Sequence, residues 1–199
     1  MSKNKKKRDR RINIFISQEG EREENFLRYL QELFDPEKKI TLKFSQETGG
    51  CSNKILLRAY RNIYHNKVYA WFDEDDALDI EHKKMLKKYW GVKFPSTTKD
   101  SKLQSFNTKM KKPILIVSTP LSVEGILIRL FNKHIPTLIE PITSKEDFEE
   151  NKKRMKSSVK GFMGNLSDIE YYRENLTKEK VLQKAKEIEE LKLLLTIFM

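Results

Sequence analysis

Three short apolar runs constrain this chain more than any other feature. They are Ile12–Ser17 (INIFIS), Lys67–Phe72 (KVYAWF) and Pro113–Ser118 (PILIVS), each rich in β-branched or aromatic residues. Runs of this length and character suit strands buried on both faces. The segments between them carry helical periodicity. From Glu21 to Phe34, the residues Phe26, Leu27, Leu30, Leu33 and Phe34 share one helical face, and Asp35-Pro36 stops the helix. Lys39–Phe44 alternates like a further strand. After the loop Thr48–Cys51, Ser52 can cap a helix to about Tyr64, with Ile55, Ala59, Tyr60 and Ile63 toward the core. Further helices are expected over Ile80–Tyr89 and Val123–Phe131, with a short strand at Gly91–Phe94 and irregular chain over 95–112. Strands alternating with helices predict an α/β fold: an open, mostly parallel sheet with helices on both faces and right-handed crossovers.

The 199 residues suffice for one ordinary domain with an appendage. Residues 1–11 form a basic tail that can bury nothing, residues 12–140 the α/β domain, and residues 141–199 a charged, helical C-terminal extension. Within the extension, Ser167-Asp168-Ile169-Glu170 matches a capping box. A last helix is expected from about Lys178. The final run, Leu193–Met199, is too apolar for water and is expected to pack on the body, on a second copy or on a continuation of the chain.

Charge points toward polyanions. The formal net charge is +11, which favours nucleic acid first and an anionic membrane surface second; a merely solvated lysine-rich surface has the same composition. The single cysteine, Cys51, excludes an internal disulfide framework. His65, His82 and His134 lie too far apart in sequence to read as a zinc cluster. No apolar run reaches the ~20 residues of a membrane helix, and the basic N-terminus lacks the apolar stretch of a secretory signal. A cytoplasmic location without membrane contact is the expectation.

The chemistry is expected where the apolar runs end. Ligands gather at the carboxyl edge of a parallel sheet. The first run leads into Glu19-Gly20, the second into Asp73-Glu74-Asp75-Asp76, and the third reaches Glu124 within a few residues. Carboxylates brought together repel one another unless a cation lies among them. All-oxygen donors suit Mg²⁺ or Mn²⁺ rather than zinc or copper. Acids after a strand can equally be charges favourable to a helix N-terminus, which is the simpler account of Glu21 and Asp76. An EF-hand is excluded, because Leu78 and Lys84 stand where glycine and the bidentate glutamate are needed.

These motifs resemble the TOPRIM domain of type IA and type II topoisomerases, bacterial primases and the overcoming-lysogenization-defect nucleases. More narrowly, the chain resembles the RloB-like family of small TOPRIM proteins tied to restriction and phage-defence loci. Glu19-Gly20-Glu21-Arg22-Glu23 lies where that family has EGxTE, and Phe72-Asp73-Glu74-Asp75-Asp76 where it has FDxDD. Ser118–Leu127 is similar to its SNPxFExWLL segment. The departures are Arg22 for threonine, Thr119 for asparagine, one extra residue before Glu124, and Gly125-Ile126 after it. The resemblance implies that Glu19 is a general acid/base or bridging ligand and that Asp73 and Asp75 hold Mg²⁺. Glu23 and Glu124 would complete a second metal position. Ser118 could meet a phosphate or simply end a strand.

The expected activity is Mg²⁺- or Mn²⁺-dependent cleavage of DNA or RNA, with Glu19, Asp73 and Asp75 catalytic. Arg22, Lys93, Lys111 and Lys112 are the expected nucleic-acid contacts. The alternative is a catalytically weak TOPRIM-fold module that binds nucleic acid or a partner. No Walker sequence is present, so any coupled ATPase would be a separate protein. A homodimer through the C-terminal helices is a further expectation.

Overall fold

The first and second apolar runs become the adjacent central strands of one parallel sheet and the third an edge strand, and the order in which the chain visits them explains the layering. The computed structural model describes residues 11–46, 52–73 and 113–199. Four strands, β1 (Ile12–Gln18), β2 (Ile40–Gln46), β3 (Lys67–Asp73) and β4 (Ile114–Ser118), pair in the order β2-β1-β3-β4, all parallel. Seven helices are described: α1 (Glu21–Phe34), α2 (Ser52–Arg61), α3 (Val123–Leu130), α4 (Lys145–Met163), α5 (Asp168–Asn175), α6 (Lys178–Lys184) and α7 (Glu189–Leu195). The expected Ile80–Tyr89 helix, the Gly91–Phe94 strand and the tail to Arg10 lie outside the described residues.

Alternation along each strand splits its side chains between two apolar layers. Ile14, Ile16, Tyr69, Trp71 and Ile116 face one layer, with α1 and α3. Phe15, Val68, Ala70, Phe72 and Leu115 face the other, against Ile55, Leu56 and Ala59 of α2. The chain moves from β1 to β2 in one direction along the sheet, then back past β1 to β3. Right-handed crossovers in opposite directions must put their helices on opposite faces, as α1 and α2 are.

The residues after Pro141 share the larger layer rather than hanging from it. Met155, Val159 and Met163 of α4, Tyr172 of α5, Val181 of α6 and Leu191 and Leu194 of α7 belong to the same buried cluster as Ile14 and Ile16. The Tyr29 hydroxyl donates to the Leu176 carbonyl at 2.8 Å, joining α1 to the segment after α5. The apolar C-terminus resolves onto the body: Leu194, Leu195 and Ile197 are buried, and Lys67 Nζ donates to the Thr196 carbonyl at 2.8 Å. The capping box at Ser167 forms with both reciprocal bonds, and a second one joins Ser144 to Asp147. Among the described residues, no helix is long and apolar enough to cross a membrane.

Candidate metal centre

A parallel sheet whose strand order reverses leaves a crevice beyond the carboxyl ends of the two strands at the reversal. Here those strands are β1 and β3, and each hands an acid to the crevice. Glu19 follows β1 directly, and its Oε1 accepts from the Asp73 backbone N–H at 3.0 Å. The buried Gln18 side chain donates to the Gly20 carbonyl at 3.0 Å, bracing the turn between strand and helix. Gly20 is extended there, so its torsion suits any residue. What it provides is a close approach: a Cβ at this position would stand 3.0 Å from Glu23 Oε2.

Six carboxylates line one cavity of about 680 Å³: Glu19, Glu21, Glu23, Asp73, Glu124 and Asp168. Glu23, Asp73 and Glu124 are buried. Each has a cation or donor within reach or suffers for its lack. Lys152 Nζ, from α4, lies 2.9 Å from Asp73 Oδ2. Arg22 Nη1 lies 2.9 Å from Glu124 Oε1, and the Ser122 hydroxyl donates to Glu124 Oε2 at 2.6 Å. Arg22 Nε also reaches Asp168 Oδ2 at 3.2 Å, so its guanidinium ties α1 to α3 and α5. Burial, and then the negative charge of Asp73, push the Glu23 carboxyl up to about 7.

The Glu23 shift has a signed consequence. Its folded-state value lies above the ordinary 4.5, so the folded protein holds the proton more tightly and stability falls as pH rises from 4.5 to 7. Asp73 and Glu124 raise the value, and Arg22 lowers it. Glu23→Gln removes the ionisable group. It is expected to stabilise the protein above pH 7 by about 3 kcal/mol relative to its effect below pH 4.5. Thermal unfolding of both proteins at pH 4.5 and pH 8 checks this; an equal difference at the two pH values would contradict it.

Ser118 is accounted for by the core, since its Oγ accepts from the buried Trp71 indole N–H at 2.7 Å. Asp75, Lys93, Lys111 and Lys112 lie outside the described residues, as does Cys51. Glu19 and Asp73 are therefore brought together, and Glu23 and Glu124 share their cavity. Sequence reasoning missed Lys152, Lys156, Lys160 and Asp168, all of which line it. Their one local signal was the i, i+4, i+8 spacing of the three lysines, which sets them on a single helix face.

Nothing matches this chain among family models, curated proteins or solved structures. The suitability of the site for an ion therefore rests on its own donors. Their chemistry fits Mg²⁺: hard carboxylate oxygens line the cavity, with Glu23 recording the repulsion a cation would relieve. Among the described residues, no three His, Cys, Asp or Glu side chains stand close enough to share an ion. A lysine ammonium holds Asp73 and a guanidinium holds Glu124.

Proposed function

We propose that this protein is a Mg²⁺- or Mn²⁺-dependent phosphodiesterase acting on DNA or RNA. The observation that carries the reading is the Glu19 carboxylate bonded to the Asp73 backbone N–H. That bond joins the acids of β1 and β3 at the point where the strand order reverses. Glu19, Asp73 and Glu23 would hold the ion, with Asp75 a candidate from the segment after β3. When bound, Mg²⁺ supplies a lowered pKa for an attacking water and neutralises charge on the phosphoryl oxygens.

The protein's own groups do the rest. The Asp73 N–H fixes the direction of Glu19. Burial and the charge of Asp73 push the Glu23 carboxyl up to about 7, a repulsion that a cation held among these acids would relieve. Arg22 and Ser122 hold Glu124 in one rotamer beside them. The resemblance to RloB-like proteins adds a setting to this proposal, bacterial defence against phage or mobile-element biology, with a separate ATPase as a partner.

One observation favours a second reading. Asp73 and Glu124 are already held by Lys152 and Arg22, as in a catalytically weak module that binds nucleic acid or an effector. Incubation with DNA and RNA in Mg²⁺, Mn²⁺ or EDTA separates the two. Cleavage that needs the metal and is lost in Glu19→Ala and Asp73→Ala supports the enzyme. Salt-sensitive binding without turnover supports the module, and cleavage that survives both substitutions rejects the assigned site.

A further inference from the structure

A row of lysines lines the cavity together with its carboxylates. Lys152, Lys156 and Lys160 of α4 all line the space shared by Glu19, Glu23 and Asp73. Successive members of the row stand about 6 Å apart along the helix axis, close to the separation of successive phosphorus atoms in a nucleic-acid strand. From Lys152 to Leu166 the chain carries no Asp or Glu. Lys152 meets Asp73 at the inner end. Lys156 and Lys160 are exposed at the outer end and make no ion pair among the described residues.

We infer that Lys152, Lys156 and Lys160 form a phosphate-binding track that leads a nucleic-acid strand along α4 to the carboxylates of the cavity. The inference rests on the reading of this cavity as a nucleic-acid site and assigns the residues that hold the backbone. Evenly repeated cations in a recess match evenly repeated anions on a flexible polymer. A flat anionic bilayer meets convex surfaces and cannot follow a row into a cavity. Lysine contacts to phosphate are non-directional and independent of base sequence, so the track supplies position along the strand and no base preference.

The test is binding in EDTA, which needs no turnover. Fluorescence anisotropy follows a labelled single-stranded oligonucleotide across a salt series. Lys156→Ala/Lys160→Ala is expected to weaken binding at least about tenfold and to flatten the log–log salt slope by about 1.4, from two lost phosphate contacts on a single strand. A charge-matched control, Lys153→Ala/Lys186→Ala, removes two exposed lysines that do not line the cavity and is expected to retain most of the affinity. The glutamine pair, Lys156→Gln/Lys160→Gln, repeats the test at nearly full side-chain length.

Equal losses in the two alanine pairs would reduce the track to general surface charge and overturn it. So would an absence of binding by the unmodified protein, or lysine-dependent preference for polyglutamate or phosphatidylserine vesicles over the oligonucleotide. The outcome is separable from the catalytic reading. Cleavage with unaltered binding by the Lys156/Lys160 variant keeps the enzyme and rejects the track. Track-dependent binding without cleavage does the reverse.

Discussion

Alanine at position 73 is expected to lower the proposed metal-dependent cleavage on the order of 10³-fold, about 4 kcal/mol of transition-state stabilisation, while the protein stays folded. Asp73 is the side chain that would meet the ion and the one that now holds Lys152, 2.9 Å away. Two effects on stability oppose each other. Lys152 loses its Asp73 partner although its side chain is only 15% exposed, which costs stability. Glu23 loses the charge that, after burial, does most to raise its pKa, which restores some. Melting temperatures should therefore move by a few degrees while turnover collapses. Asp73→Asn separates charge from shape, because it keeps the side-chain volume and should lose nearly as much activity. Full turnover in either variant, with the fold intact, would remove Asp73 from the chemistry.

Gly125→Ala is expected to destabilise the protein by about 3 kcal/mol, a fall of roughly 6–12 °C for a chain of this size. Helix propensity alone predicts the opposite sign, because alanine is better than glycine inside a helix by about 1 kcal/mol. The difference lies in the packing of α3 against the loop before it. A Cβ at Gly125 would stand 2.4 Å from the Pro120 carbonyl oxygen and 2.7 Å from Pro120 N and Cδ. Those atoms are backbone or ring and cannot swing aside. The loop is also held from the other side, where Arg129 Nη2 donates to the Thr119 carbonyl at 2.6 Å and pairs with Glu190 at 3.0 Å. Gly161 in α4 is the control, since a Cβ there meets nothing within 4 Å. Gly161→Ala should raise stability by up to about 1 kcal/mol. Thermal or urea unfolding of the two variants should give shifts of opposite sign; shifts of the same sign would refute the packing account.

Local structure was legible wherever one segment's own pattern decides it. The unbroken run Ile12–Ser17 predicts a strand, and β1 is Ile12–Gln18. The apolar face from Phe26 to Phe34 and the stop at Asp35-Pro36 predict a helix, and α1 is Glu21–Phe34. Tyr64 was expected near the end of a longer helix, yet α2 closes at Arg61 and Tyr64 is 73% exposed. Its neighbour His65 carries the packing instead, stacked on Phe15 with ring centroids 5.5 Å apart. The final helix expected from Lys178 is divided into α6 and α7, and buried Ala185 and Ile188 lie between them.

Half of the site was not legible, for a reason visible in its distances along the chain. Arg22 meets Glu124 across 102 positions and Asp168 across 146. Such pairings leave no periodicity, and the lysines of α4 look in sequence like any solvated helix face. Reading residues 141–199 as an extension separated Lys152 from Asp73, although the burial of Met155 and Val159 on the next turns of the same helix seats it over the sheet.

The amino-acid sequence by itself determined which segments become strands, which become helices, and that acids follow the first and second apolar runs, because each of these is a property of neighbouring residues. Only the tertiary structure decided that β1 lies beside β3, so that Glu19 and Asp73 touch, and that α4 folds back to face them with lysines. Strand order and helix docking depend on how distant apolar faces bury one another, and that competition is settled by the whole chain at once.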